Sequence, residues 1–179
     1  MDTNYKGKLL VAKPHTMRDP RFQKSVVYVY EQQDQVIIGL CLNKHTNMSV
    51  ADIHSMRGTI NSGAVDKLYR GGPVSEQSLL LLHTDDWSST NTIQATHGNC
   101  VSSDELMLDK LASNNLPKCF RLFSGMSTWV LPQLHEEIYR QKAWLVVDPS
   151  KEIFFNFDGE EQWNKAIELA STRMLETYF

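Results

Sequence analysis

The sequence has no long apolar run, and this absence argues against a membrane-spanning helix. Its longest apolar runs, residues 26–30 and 79–82, have the length of strands, whereas a span needs about 20 residues. The chain starts Met1-Asp2-Thr3-Asn4-Tyr5-Lys6, with no basic segment leading into an apolar one, so no secretory signal is expected. We therefore expect a soluble intracellular chain without a membrane partner.

Cysteine is scarce. The three residues, Cys41, Cys100 and Cys119, are odd in number and none belongs to a C-x-x-C pair, which argues against a disulfide framework or a zinc site and suits a reducing cytoplasm. Cys41 lies in an apolar run and is interpreted as a buried small hydrophobe. Cys100 lies in a polar segment before a predicted helix start, where a thiol pKa can be lowered. It is the cysteine to test for reactivity, although an inert thiol is the favoured interpretation.

A basic surplus is also missing. The 18 basic and 21 acidic residues give a net charge of −3, and no three basic residues are adjacent. Domains that hold nucleic acid by its phosphates normally carry excess positive charge. Direct DNA binding is therefore not expected.

Length and hydrophobic pattern predict one α+β domain over residues 1–179. Strand-like runs fall at residues 7–12, 25–30, 36–42, 67–70, 78–83, 93–96, 119–123, 143–147 and 152–155. Helices are predicted from Ser49, after a Ser102–Glu105 capping box as far as about Ser113, from Pro132, and from Asp158. Residues 57–66 are predicted to form a mobile loop. Because the strands come in hairpin-like pairs, we expect a mostly antiparallel sheet. The last helix should pack on the core through Trp163, Ala166, Ile167, Ala170 and Met174.

Glycine and serine motifs carry little chemistry here. Gly71-Gly72-Pro73 follows a strand but lacks the Lys-Ser/Thr of a phosphate-binding loop, so a structural turn with positive φ is favoured over an anion site. Ser127 follows Gly125, but the second glycine of a nucleophile elbow is absent. A strand-to-helix turn is the favoured interpretation of this segment.

His83 ends an apolar strand just before Asp85 and Asp86, so it could serve as an exposed base or metal ligand. HxxxH, HExxH and HxH patterns are all missing, and a hydrogen-bonded histidine at a strand end is favoured. Glu136 and Glu137 are interpreted as part of a solvated helix face, with Trp129 packed on the core. No catalytic residue, metal ligand or cofactor is assigned.

Several segments, taken in order from residue 7 to residue 145, together resemble the YqgE/AlgH family of bacterial proteins. They are similar to the family's opening strand, its D-P-x-F-x-x-S-V-V-Y and G-L-x-x-N-[RK] segments, its Y-x-G-G-P-V turn, and its G-x-x-x-W, Q-L-x-x-E and W-L marks. In this chain they read Gly7-Lys-Leu-Leu-Val-Ala, Asp19-Pro-Arg-Phe-Gln-Lys-Ser-Val-Val-Tyr, Gly39-Leu-Cys-Leu-Asn43-Lys, Tyr69-Arg-Gly-Gly-Pro-Val74 with Leu82-His83 after it, Gly125 to Trp129, Gln133-Leu134 with Glu137, and Trp144-Leu145. The chain departs from the family at His45-Thr46, where proline is usual, and at Met126-Ser127-Thr128, where Tyr-Ala-Gly is common.

The resemblance implies a compact α+β fold with a bifurcated, barrel-like sheet, and no accepted cofactor or catalytic set. Some members are described as transcriptional regulators linked to alginate production. We therefore expect a non-enzymatic regulatory or interaction protein with a protein partner; the oligomeric state stays open. The alternative is a small-ligand-binding protein or enzyme whose pocket lies near Asn43, Arg70, His83 and Trp129. The residues predicted to bind a ligand are Asn43, Arg70, Gly71, Gly72, His83, Trp129 and Gln133.

Overall fold

The computed structural model describes residues 3–48 and 67–178. Within them the strands are β1 (Leu9–Ala12), β2 (Val26–Gln33), β3 (Val36–Cys41), β4 (Tyr69–Arg70), β5 (Val74–Thr84), β6 (Ile93–Gln94), β7 (Asn99–Ser102), β8 (Phe120–Val130) and β9 (Trp144–Val147). The α-helices are α1 (Glu105–Ala112), α2 (Leu131–His135) and α3 (Gly159–Tyr178). A π-helix (Glu136–Arg140) continues α2, and a 3-10 helix (Lys151–Ile153) precedes α3. The helix predicted from Ser49 and the loop predicted at 57–66 lie outside the described residues.

All nine strands belong to one sheet, in the order β6-β7-β5-β8-β3-β2-β1-β9, with β4 paired to β8 away from this path. Every pairing is antiparallel except that of β4 with β8. The predicted α+β class and the β2–β3 hairpin are thus confirmed, and the strand path is open from β6 to β9. None of the helices in the described ranges combines the length and apolar character that crossing a bilayer requires.

The sheet bifurcates along β8. Residues 120–124 and 126 of β8 pair with β5, and residues 123 and 124 also pair with β4, whereas residues 127–130 pair with β3. At the fork, the backbone N–H of Gly71 donates to Ser124 O (2.9 Å), and Gly71 O accepts from Cys41 N (2.9 Å). Gly71 therefore joins the two branches where β3 and β8 separate.

Glycine is needed at this fork because backbones lie unusually close together. A Cβ on Gly71 would overlap the carbonyl oxygen of Gly125, and one on Gly72 would overlap the carbonyl of Met126. Gly72 has a positive φ of 158°, so the positive φ predicted for this segment is confirmed. Gly125, at φ 73°, lies inside β8, so the strand-to-helix turn predicted there was wrong.

Other sequence predictions need correction for identifiable reasons. Residues 151–153 form a 3-10 turn instead of the strand predicted at 152–155, because the backbone bonds there are local: Ile153 N donates to Ser150 O and Asn156 N to Glu152 O, both at 3.4 Å. Ser102 belongs to β7, and Asp104 is the N-cap of α1, accepting from Met107 N at 2.8 Å. Met174 is 56% exposed, because the last turns of α3 extend beyond the core.

The helices cover the sheet on both faces. Alternate residues of β1 and β2 enter two different apolar clusters. On one face α3 contributes Trp163, Ala166 and Ala170. On the other face α2 and the π-helix contribute Leu131, Leu134 and Ile138. Leu134 and Ile138, four residues apart, thus share one buried helix face, as predicted.

Asp158 attaches the start of α3 to the sheet. Its carboxylate accepts from the Tyr69 hydroxyl (2.8 Å), pairs with His45 Nε2 (2.7 Å) and contacts Lys67 Nζ (3.3 Å). Burial acts to raise the pKa of Asp158. The Tyr69 hydrogen bond and the charges of His45 and Arg121 outweigh it, so the pKa falls below its ordinary value of 3.8.

We predict that Gly71→Ala lowers the free energy of unfolding by about 3 kcal/mol or more, because the added methyl group overpacks the fork. The melting temperature should fall by roughly 6 °C or more for a chain of this size. Gly98→Ala is the control: its φ of 74° is left-handed, but the nearest atom to a Cβ is 3.8 Å away. It should cost only about 1–2 kcal/mol. If Gly98→Ala were the more damaging change, crowding would not explain Gly71.

A second prediction concerns acid stability. Because the folded pKa of Asp158 is depressed, its contribution is present above the unfolded pKa and is lost as pH falls through the lower folded value. Asp158→Asn should therefore destabilise the chain at neutral pH and weaken the fall in stability below about pH 4. Urea titrations at several pH values measure both effects, with Asp34→Asn, in the exposed β2–β3 turn, as the control for charge removal. An unchanged acid slope would contradict this role.

Candidate functional site

Asn43, one of the predicted site residues, is a structural cross-link. It is 3% exposed. Its Oδ1 accepts from Val26 N (2.9 Å), and its Nδ2 donates to Lys24 O (2.8 Å) and Gly159 O (2.9 Å). The side chain thereby connects β2, the end of β3 and the start of α3.

His83 is fully buried and hydrogen-bonded at both ring nitrogens, to Thr84 O (2.9 Å) and Ser102 Oγ (2.8 Å). Burial lowers the pKa of His83, although the Thr84 carbonyl partly opposes it. The interpretation of His83 as an exposed base was wrong, and its interpretation as a hydrogen-bonded histidine near a strand end is confirmed. Cys100 is likewise buried, in β7, and burial raises the pKa of its thiol, which opposes reactivity. The polar residues Asn99 and Ser102 concealed this strand from the sequence pattern.

The pocket predicted near Asn43, Arg70, His83 and Trp129 is not formed. His83 pairs with the first residue of β8, whereas Trp129 is next to its last. Nine residue steps of β8 separate Phe120, the partner of His83, from Trp129, which is roughly 30 Å along an extended strand, so His83 and Trp129 lie near opposite ends of β8. Arg70 is paired with Glu76 beside the glycine fork.

Trp129 and Gln133 do lie near one another, around the carboxylate of Glu137. Glu137 Oε1 accepts from the indole N–H of Trp144 (3.1 Å) and from that of Trp129 (3.4 Å). The two indole rings are perpendicular, with centroids 6.0 Å apart, and the Phe22 ring contacts both. Both tryptophans are almost fully buried, as the sequence predicted for Trp129.

The local chain geometry fixes this carboxylate. Pro132 suits the first turn of α2, as predicted. The helix then widens, with an i→i+5 bond from Gln141 N to Glu136 O (3.0 Å). Short π-helical segments occur frequently at functional sites. Glu137 is half-buried here, not part of a fully solvated face, because β8 and β9 each supply one indole donor to it.

Glu137 faces an open groove of about 630 Å³, which Gln133 also lines. Among the described residues, neither Glu137 Oε2 nor the side-chain amide of Gln133 forms a hydrogen bond. Around it, Asp19 pairs with Arg21 (2.8 Å), Glu136 pairs with Arg140, and Arg18 is exposed on the groove wall without an ion pair among the described residues. Arg21 also interacts electrostatically with Glu137. The Glu137 groove, defined by residues 16–19, 133, 136, 137, 140, 141 and 143, therefore presents one carboxylate oxygen available to an outside donor.

The residues that surround Glu137 could be selected from the sequence, but their contact with its carboxylate could not be predicted from the sequence. The segments that resemble the YqgE/AlgH family at Asp19, Trp129, Gln133, Glu137 and Trp144 all gather at this groove. Their separation along the chain hides the contact, since only the pairing of β8 and β9 with the rest of the sheet brings the two indoles to one carboxylate.

We predict that Glu137→Ala lowers the free energy of unfolding by about 1–3 kcal/mol, because it leaves two buried indole N–H groups without an acceptor. Glu137→Gln keeps a carbonyl oxygen and should cost clearly less. Glu136→Ala is the matched control, since it removes only an exposed i,i+4 ion pair worth about 0.3–0.5 kcal/mol. Urea unfolding followed by tryptophan fluorescence measures all three. Equal losses for Glu137→Ala and Glu136→Ala would contradict the role of the indole bonds.

Comparison with known proteins gives concordant matches over nearly the whole chain. An AlgH-like family model matches residues 9–175. A UPF0301 protein of Francisella philomiragia is 32% identical over 95% of this chain and 91% of its own length. One from Vibrio parahaemolyticus is 30% identical over 92% of this chain and 91% of its own. The solution structure of the AlgH protein from Pseudomonas aeruginosa has a TM-score of 0.78 at 25% identity, covering 94% of this chain and 92% of that one. A crystal structure from Corynebacterium diphtheriae, at 21% identity and a TM-score of 0.71, shares the fold.

Proposed function

Because the chain belongs to the AlgH-like family and the names of the matched relatives state no activity, we propose a function from the chain's own geometry. It is a non-enzymatic interaction protein that recognises a basic side chain of a partner polypeptide in the Glu137 groove. The observation that carries this proposal is the half-buried carboxylate of Glu137, with one oxygen held by two indoles and the other unpaired.

Positioning explains why Glu137 suits recognition. The two indole bonds fix the carboxylate before any partner arrives, so little side-chain freedom is lost on binding. The free oxygen can accept a charge-assisted hydrogen bond from a lysine or arginine side chain. Gln133, on the adjacent turn of α2, can donate to or accept from the partner's backbone. Recognition of this kind needs no chemical step.

A regulatory role would then act through protein contacts. The net charge of −3 favours a basic partner segment over a DNA backbone. A cytoplasmic location fits this proposal, since the three cysteines are free thiols. We prefer this proposal to the alternative pocket because Asn43, His83 and Trp129 are buried in separate structural contacts.

The proposal predicts that peptides selected for binding contain arginine or lysine. We would select a random peptide library on the immobilised chain and measure the best peptide by calorimetry. Glu137→Gln, which keeps the indole acceptor and removes the charge, should weaken it about 10- to 100-fold, as expected for a hydrogen bond to a charged group. Glu136→Gln should weaken it only slightly.

Selected peptides without basic residues, or equal affinity for Glu137→Gln, would overturn the proposal. A sequence-dependent complex with duplex DNA at about 0.15 M salt, where weak phosphate contacts are screened, would also contradict recognition through a polypeptide.

A further inference from the structure

A second groove, of about 590 Å³, lies near the other end of β8, between the start of that strand and the segment leading into α3. Arg121 of β8 forms part of its wall, together with Lys118, Phe157 and Asp158. This volume falls within the range of small-molecule sites. The groove shares no lining residue with the Glu137 groove.

Arg121 is unusual because it is buried and, within the described part of the chain, its hydrogen-bond acceptors are all neutral groups. It is 8% exposed. Its Nη1 donates to Leu42 O (2.9 Å) and Gln162 Oε1 (2.7 Å), and its Nη2 donates to Phe157 O. The guanidinium carbon lies 4.8 Å from the centroid of the Tyr69 ring.

Buried arginines normally have a carboxylate partner, because an unpaired charge is costly to bury. Across residues 3–48 and 67–178, no carboxylate oxygen lies within 4.0 Å of the Arg121 guanidinium. Burial accordingly lowers the pKa of Arg121. Asp158 affects it electrostatically, but that carboxylate is already bonded to the Tyr69 hydroxyl, His45 and Lys67.

The charges that face the groove leave room for an anion. Lys118 is exposed at the rim and forms no ion pair within the described part of the chain. The negative charge of Asp158 is matched by Lys67. Glu161, also exposed, is the remaining acid on this wall. Arg121 retains an Nε–H that donates to no described residue, beside an Nη2 with two hydrogens and one acceptor.

We propose that the Arg121 groove binds the oxyanion group of a small ligand, a carboxylate or a phosphate. Arg121 contacts two of its oxygens through Nε and Nη2, the side-by-side donor arrangement that matches such groups. Lys118 adds a mobile positive charge from the rim. The anion thereby supplies the counter-charge that residues 3–48 and 67–178 do not place against this guanidinium.

The test uses inorganic phosphate and succinate as probes, at ionic strength matched with sodium chloride. The Arg121 Nε–Hε resonance, observed by NMR in the full chain, should shift saturably with at least one probe, and that probe should raise the melting temperature. A response to phosphate alone identifies a phosphate-bearing ligand, and a response to succinate alone identifies a carboxylate-bearing one.

Variants separate specific binding from general charge. Arg121→Lys keeps the charge but loses the planar fork, and should weaken binding about tenfold or more. Because Arg121 also holds Leu42 and Gln162, Lys118→Gln provides a milder test, with an expected loss of about two- to fivefold. Lys13→Gln, outside the groove, is the control.

Absence of any shift at Arg121 Nε–Hε with both probes would overturn the proposal. So would equal weakening by Lys118→Gln and Lys13→Gln. Neither result bears on the Glu137 groove, whose test uses different residues and a peptide probe.

Discussion

The pairing of one strand, β8, with both branches of the sheet is the constraint on which the rest of this structure depends. Its first half bonds to β5 and β4 and its second half to β3. The change of partner takes place around Gly125, where Gly71 closes the gap between β3 and β8. Three backbones meet within a space that admits no Cβ, so the fork can be built only from glycine at these positions.

This arrangement also determines where polar chemistry can occur. Because β8 is long and shared, residues at its two ends cannot meet in one pocket. The beginning of β8 places Arg121 beside the segment that enters α3, and the end of β8 places Trp129 beside the π-helix. Two separate grooves result, one facing a half-buried carboxylate and the other a buried guanidinium.

Local patterns in the sequence were sufficient for the fold class and for elements whose burial follows a simple rule. The β2–β3 hairpin follows from two β-branched and aromatic runs around a polar turn, and α3 follows from Trp163, Ala166 and Ala170 at helical spacing. Failures occurred where long-range contacts override local preference. Gly125 indicates a turn locally but lies within a strand, and β7 is a buried strand despite Asn99 and Ser102.

The candidate sites show the same limit more sharply. Trp129 and Gln133 could be selected from the sequence because they belong to segments that resemble a family. Glu137 could not be given its role, because the two indole donors come from strands that are not adjacent in the sheet. Arg121 offers no local signal at all: a lone arginine in a strand is ordinary until its burial is known.

The two grooves place opposite charges in comparable physical situations, and this comparison supports separate binding roles. At Glu137 and at Arg121 alike, neutral donors or acceptors fix the orientation of a charged group. The nearby opposite charges, Arg21 and Asp158, act on these groups electrostatically without forming an ion pair with them among the described residues. A side chain needed only for stability would cost less if it were apolar, since burying charge is unfavourable. A charged group held in a fixed orientation beside an open groove is advantageous when a ligand of opposite charge binds there and forms an ion pair with it. The fork in β8 holds the two groups far enough apart that each can be completed by a different ligand.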